Sequence, residues 1–480
     1  MFLYFFGYAF SPLFIVNIAF ASLVVFSSRH HPGSTWAWLF VILVLPYLGI
    51  ILYFVFGFDG RKSALFQKKR AKDALILREF TELSDKEYSD NSEGFLGDAG
   101  SAADIIYLGS ISGRSRLTTG NAVDLYFEGG DKFEALLADI EGAESFIWLE
   151  YYIVRADALA RRLIAALEAR SRAGVSVCVL VDGMGCPRGR RGIFAPLIEA
   201  GGRVGVFAAA HSGGLNYRNH RKIAVVDGCV GYIGGLNIGE EYLGGSKRFG
   251  YWRDAHIRVQ GGVVAQLCLR FVMDWNFVHK HPGKLVLPEI LKPEDDPGRV
   301  AMQLLSSGPD TRWPSIHHTI IKMISTSRTQ VLIQSPYFVP DDSVLEALRL
   351  AALSGVDVRI MIPAKPDHPF VYWAALSYIG ELLQAGVRCY RYEKGFLHSK
   401  TIVVDGRISS VGTANMDVRS FKLNFEISAF MYDESLGELL ITQFMRDIKD
   451  CSEISREYYG SRSRWDRVRE SVSRLLSPIL

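Results

Sequence analysis

His220-Arg221-Lys222-Ile223-Ala224-Val225-Val226-Asp227-Gly228 recurs later in the chain as His398-Ser399-Lys400-Thr401-Ile402-Val403-Val404-Asp405-Gly406. Each copy reads His-x-Lys, four residues, then Asp-Gly. Each runs on to a Gly-rich turn that ends in asparagine, Gly234-Gly235-Leu236-Asn237 and Gly412-Thr413-Ala414-Asn415. The β-branched apolar runs predict buried strands. Side chains alternate along a strand, so His220 and Lys222 share one face, as do His398 and Lys400. The Asp-Gly pairs predict tight turns that fold each strand back as a hairpin. A lone histidine on an apolar strand is ordinarily a satisfied core residue. A duplicated one, with the same spacing to a lysine, indicates two half-sites built by one repeated unit.

Two imidazoles and two ammonium groups suit chemistry on a phosphodiester. Lys222 and Lys400 would stabilise charge on the non-bridging oxygens. One imidazole can attack phosphorus while the other protonates the departing alkoxide and later deprotonates the incoming alcohol or water. Asp227 and Asp405 complete the two His-Lys-Asp sets. They lie beyond the far end of each strand and read as turn formers. No metal-ligand spacing and no nucleotide-binding Gly-rich loop is found, so neither a metal nor a cofactor is expected.

With 480 residues and 49% hydrophobic content, the chain can bury a core larger than one ordinary domain. A net charge of only +3 argues against nucleic acid as a partner. The six cysteines fit free thiols in a reducing compartment. Residues 1–26 and 36–58 are long uncharged apolar runs, predicted to be two transmembrane helices, with Pro46 tolerated inside the second. Arg29 lies between them, whereas Arg61, Lys62, Lys68, Lys69, Arg70 and Lys72 follow. That bias predicts both ends of the hairpin on the cytoplasmic side.

Residues 59–118 read as a basic, then polar, weakly structured linker. Two related halves follow, 119–290 around the first motif and 291–450 around the second. In each, a strand (146–153, 331–338) leads to an amphipathic helix (157–173, 343–354) and a further strand (174–181, 355–362) before the hairpin. This order predicts an α/β sandwich in each half, with both His-Lys pairs facing one cleft. Residues 451–480 form a basic amphipathic tail, suited either to an anionic lipid surface or to capping the core.

On these residues the chain resembles the phospholipase D superfamily, which carries both the His-x-Lys-x4-Asp motif and the asparagine turn. More narrowly it resembles its bacterial cardiolipin synthases. The narrower likeness rests on Arg29-His30-His31-Pro32, Trp36-Ala37-Trp38, Ser307-Gly308-Pro309-Asp310, Pro336-Tyr337-Phe338-Val339-Pro340-Asp341 and Asp417-Val418-Arg419-Ser420-Phe421 leading to Asn424-Phe425-Glu426. The resemblance implies two phospholipase D-like halves behind a transmembrane hairpin in a bacterial inner membrane. It implies a phosphatidyltransferase that converts two phosphatidylglycerol molecules to cardiolipin and glycerol. It implies His220 as nucleophile and His398 as general acid and base. By the same likeness Asn237, Thr413 and Asn415 hold phosphate oxygens, and Glu426 and Asp254 orient the imidazoles; Gly235 stands where relatives carry serine. A phospholipid-hydrolysing enzyme or a nuclease using the same site is the alternative, since only the acceptor differs.

Overall fold

The computed structural model describes residues 18–20, 22, 24, 32–53, 60–87, 100–187, 192–207, 217–279, 283–287, 297–475 and 477. They fall into two compact units, one up to Ala71 and one from Lys72 onward.

In the N-terminal unit the second apolar run is not one helix. It forms Pro32–Val44 and Pro46–Leu52, interrupted at Leu45 (φ −124°, ψ 72°), because Pro46 has no N–H with which to continue the ladder. Among the described residues no helix is long and apolar enough to cross a membrane. Most of the first apolar run lies outside the described residues. Val24, Ile42 and Tyr53 pack together, while Trp36, Phe40, Tyr47 and Ile51 face outward.

The stretch expected to be a weakly structured linker carries helices instead, Gly60–Glu87 and Ser101–Gly113. Composition misled because the apolar residues are few but correctly spaced. Ile76, Leu77 and Phe80 share one face and pack on Ala265, Leu269 and Met273. Ile105 and Ile106 are buried with Ile316 and Ile320 in the core of the second half. Tertiary burial, rather than propensity, stabilises these helices.

The C-terminal unit is built on one fifteen-stranded sheet and two separate two-stranded pairs. The first half supplies β1 (Thr118–Tyr126), β2 (Phe146–Tyr151), β3 (Ser176–Asp182), β4 (Arg203–Phe207), β5 (Ile223–Val226), β6 (Val230–Gly234), β7 (Tyr251–Arg253) and β8 (His256–Gln260). The second half supplies β9 (Val300–Ser307), β10 (Gln330–Gln334), β11 (Phe338–Val339), β12 (Asp357–Pro363), β13 (Arg388–Tyr392) and β14 (Gly395–Leu397). It continues with β15 (Thr401–Val404), β16 (Ile408–Gly412), β17 (Met416–Asp417), β18 (Glu426–Tyr432) and β19 (Cys451–Glu453). The order β19-β13-β12-β10-β15-β16-β18-β9-β1-β8-β6-β5-β2-β3-β4 repeats the same arrangement about the antiparallel β9–β1 seam. The two α/β halves are present as expected, and their strands join into one fifteen-stranded sheet across the β9–β1 seam. β7 with β14, and β11 with β17, pair separately from it.

The expected helices occupy Ala158–Arg172 and Asp342–Leu353. Asp157 caps the first by accepting from the Ala160 amide at 3.1 Å, and Asp341, not Ser343, caps the second through Val344 at 3.2 Å. Both motif strands fold back as hairpins, β5 on β6 and β15 on β16. Their turns place Asp227 and Gly228 at φ 53° and 71°, and Asp405 and Gly406 at 53° and 68°. Two successive left-handed residues make the turn whose twist matches the flanking strands. The tail is not a separate appendage: β19 pairs with β13, and helix Arg464–Leu475 lies along helix Pro369–Gln384.

Candidate active site

Each histidine is held by the opposite half of the molecule. β14, which leads into His398, runs parallel to β7, and the His398 amide donates to the Arg253 carbonyl at 2.7 Å. Asn219 pairs in the same way with Phe425, and the His220 amide donates to the Phe425 carbonyl at 3.0 Å. Arg253 and Phe425 are the residues just before Asp254 and Glu426. The backbone pairing therefore carries each carboxylate to the imidazole across the seam. His398 Nδ1 lies 2.7 Å from Asp254 Oδ2, and His220 Nδ1 lies 3.0 Å from both oxygens of Glu426. A carboxylate at Nδ1 fixes the tautomer with its proton there and leaves the Nε2 lone pair for chemistry.

The carboxylates are themselves fixed. Glu426, fully buried, accepts from Thr413 Oγ1 at 2.5 Å, Ser420 Oγ at 3.0 Å and Asn424 Nδ2 at 3.2 Å. Asp254, also fully buried, accepts from the Ala255 amide at 2.8 Å and from Trp252 Nε1 at 3.3 Å. The Lys222 and Lys400 ammonium groups turn back to donate to the carbonyls of His220 and His398, at 2.7 and 2.5 Å. Tyr152 sets its ring edge-on to His220, and Trp252 and Phe396 pack against His398.

Burial and mutual charge shape the titration. Burial, with Lys400 close by, lowers the Lys222 ammonium to about 7, against the attraction of Glu426; burial lowers Lys400 to about 8. Burial lowers both imidazoles too, assisted by the neighbouring lysines, with His398 reaching about 4. Glu426 and Asp254 stay ionised. Burial alone would raise both, but His220 with Lys222, and His398 with Lys400, hold them below the usual carboxylate range. Both lysines are felt by the carboxylates of both halves, Glu426 and Asp254, so the two half-sites form one electrostatic cluster.

Several expected site residues take other positions. Asp227 accepts from the amides of Glu144, Ser145 and Phe146 at 2.7–2.8 Å, and Asp405 from those of Arg328, Thr329 and Gln330 at 2.7–2.9 Å. They pin the turns before β2 and β10, at the strand end away from the histidines, and do not join the reacting groups. Thr413 does not offer its hydroxyl to a ligand: it donates to Glu426 and accepts from the Ile427 amide at 3.0 Å. Asn237 accepts from the Ile153 amide at 3.2 Å and donates to Tyr242 at 3.3 Å, bracing a loop. Asn415 is buried with its Oδ1 unpartnered among the described residues. Gly235 has a steric reason: a Cβ there would come within 2.0 Å of Asp254 Oδ1, so any side chain would displace the carboxylate from His398.

Sequence reading missed four supporting residues. Ser420 and Asn424 lie within the quoted 417–426 stretch but were given no role; their bonds to Glu426 show it. Arg221, the unspecified residue of the first motif, is fully buried and donates to Asp274 and Ser306 at 2.6 Å, joining helix Val263–Val278 to β9. Its counterpart Ser399 makes no such bridge, so no repeat pattern could signal it. Arg253, beside Asp254, is likewise buried against Asp447 at 2.9 Å.

A pseudo-symmetric α/β sheet with one His-Lys pair per half, each histidine backed by the other half's carboxylate, defines a two-half phosphodiester-transfer site. Models of known families match accordingly: "Cardiolipin synthase, PLD-like domain" over residues 136–248 and 320–448, and "Phospholipase_D-nuclease N-terminal" over 15–57. The chain is 46% identical over 478 residues to the major cardiolipin synthase ClsA of Bacillus subtilis (strain 168), covering 98% of each chain. It is 44% identical over 485 residues to the cardiolipin synthase of Listeria monocytogenes serotype 4a (strain HCC23), again with 98% of each covered. Among solved structures it is similar to phosphatidylserine synthase from Haemophilus influenzae Rd KW20, with a TM-score of 0.60, 14% identity, and 78% of this chain and 100% of that one covered; this likeness concerns the fold alone. The chain belongs to the bacterial cardiolipin synthases of the phospholipase D superfamily.

Proposed function

We propose that the enzyme transfers the phosphatidyl group of one phosphatidylglycerol to the headgroup hydroxyl of a second, forming cardiolipin and releasing glycerol. His220 Nε2 attacks phosphorus as the bond to the donor's glycerol oxygen breaks, and His398 gives that oxygen its proton. His398 then takes the proton of the second headgroup's primary hydroxyl as its oxygen attacks phosphorus, and the bond to His220 breaks. One phosphodiester replaces another, so no nucleotide has to drive the exchange. Lys222 and Lys400 offset the charge that develops on the non-bridging oxygens, to which Asn415 can donate through its Nδ2. Burial favours the neutral form of both imidazoles; the phosphodiester anion of the substrate raises the His398 pKa and readies it as the acid.

The observation that carries this reading is the crossed pair of contacts, Glu426 to His220 and Asp254 to His398, with both Lys222 and Lys400 acting on each imidazole. We assign the nucleophile to His220 because the better-braced carboxylate, with three donors besides the histidine, stands behind it. The test is product analysis with the purified full chain and labelled phosphatidylglycerol in mixed micelles containing a chelator. Cardiolipin with equimolar glycerol supports the reading. Phosphatidic acid as the main product would make the enzyme a hydrolase.

The membrane placement is part of the proposal. The apolar runs 1–26 and 36–58 would form a helical hairpin in the bacterial cytoplasmic membrane, with the catalytic unit on the cytoplasmic side. It is supported by the family match over 15–57, the outward apolar face of the described N-terminal helices and the basic residues that follow.

A further inference from the structure

Helix Arg464–Leu475 is packed inside out. Trp465, Val468, Val472 and Leu475 fall at steps of three and four, a single apolar stripe, yet they are 74%, 50%, 47% and 81% exposed. The residues it buries against the protein are polar, Glu470 and Ser473. Glu470 is bound by Arg462 and by Tyr459 Oη, while Arg474 pairs with Glu381 of helix Pro369–Gln384 and stacks over Tyr378. Polar bonds therefore hold the helix in place and turn its apolar side outward. A contiguous apolar stripe left in water at this cost to the hydrophobic effect signals an occupant.

We propose that this stripe docks into the surface of an anionic bilayer, which places the rim of the active-site cleft against the leaflet that holds the substrate. The inference rests on the reading of the protein as a lipid-transforming enzyme. Three observations favour lipid over a second copy of the chain. Arg464, Arg467 and Arg469 are exposed beside the stripe, while the acidic groups of the helix are engaged: Glu470 is buried with Arg462, and Asp466 bonds to Ser463 and Arg469. This leaves a cationic border suited to anionic headgroups. With 12 residues the helix is about 18 Å long, enough to lie in an interface and too short to span one. The surface also continues toward the cleft. Arg469 lies over Trp373 and Phe370 is 55% exposed on the neighbouring helix, whose N-terminus follows Asp367. Asp367 bonds to Tyr337 and acts on Lys400.

The test uses the full chain reconstituted into vesicles. The emission of Trp465, taken as wild type minus Trp465→Phe, is measured in phosphatidylcholine vesicles with about 30 mol% phosphatidylglycerol carrying brominated chains. Quenching of that component is expected, with loss of quenching in high salt or in Arg464→Gln/Arg467→Gln. Trp465→Ser/Leu475→Ser should lower kcat/KM on long-chain phosphatidylglycerol vesicles about tenfold and leave turnover of monomeric dihexanoyl phosphatidylglycerol within about twofold. An unquenched Trp465, or equal losses on both substrates, would overturn the proposal. So would a halved particle mass of the double variant in detergent, which would assign the stripe to a second copy. If wild type made no cardiolipin from the monomeric lipid, the activity reading would fail while quenching still reported on the helix.

Discussion

Replacing Glu426 by glutamine isolates the role of the carboxylate behind the nucleophile. The side chain keeps its volume, but one acceptor oxygen becomes a two-hydrogen donor. Glu426 now accepts from His220, Thr413, Ser420 and Asn424. The least costly placement puts the new NH2 at the Oε2 position, because the Thr413 hydroxyl can rotate to accept while Ser420 and Asn424 keep the remaining oxygen. That NH2 then also points at His220 Nδ1. The imidazole has to accept there, its proton moves to Nε2, and the attacking lone pair is lost. A histidine held in the wrong tautomer costs on the order of 10^4 in rate in the best-studied triad. We expect the first step to slow by about 10^3–10^4, or ~4–5.5 kcal/mol. The assay is the burst of p-nitrophenol from a phosphatidyl p-nitrophenol diester, whose leaving group needs no proton. Glu426→Gln should lose the burst. Asp254→Asn should keep it and then turn over slowly, since His398 acts on the leaving and entering oxygens. An intact burst in Glu426→Gln with a lost burst in Asp254→Asn would reverse the histidine roles. Losses under about tenfold in both would refute the carboxylate's part altogether.

Gly235→Ser should reduce kcat sharply without unfolding the protein, because its Cβ would force Asp254 off His398; unchanged kcat with normal melting would contradict this. Asp227→Ala should instead lower stability by about 1–3 kcal/mol and leave turnover per folded molecule unchanged, as three backbone amides lose their acceptor and alanine is placed at φ 53°; thermal melts and active-site titration separate the two effects. Lys222 and Lys400 predict opposite pH trends. Between their folded values of about 7 and 8 and the ordinary 10.5, the unfolded chain binds more protons, so stability without lipid rises with pH there. Over the same rise kcat/KM falls as the ammonium charges are lost, and Lys222→Met should flatten part of the stability trend. Protease added outside sealed right-side-out vesicles should leave the catalytic unit uncut; cleavage there would overturn the proposed topology.

The motif pair by itself was enough to show the duplicated halves and the hairpins. A period-two strand pattern ending in Asp-Gly dictates which side chains share a face and where the chain turns back. The same local logic found the main helices. It failed where stability comes from partners distant in sequence. Residues 59–118 read as linker because only a few apolar residues are present, yet helices Gly60–Glu87 and Ser101–Gly113 form there, held by burial against Met273 and Ile320. The second apolar run read as one span, and Pro46 divides it. Thr413 resembled a ligand-binding hydroxyl until β18 brought Glu426 beside it. The crossing of each carboxylate to the other half's histidine, the need for glycine at 235 and the outward turn of the Trp465 stripe were decided only by tertiary structure. Spacing along a chain determines which groups share a face, but which groups meet across a sheet seam depends on register between strands far apart in sequence. That register is set by backbone hydrogen bonds and burial over the whole sheet, and no local pattern records it.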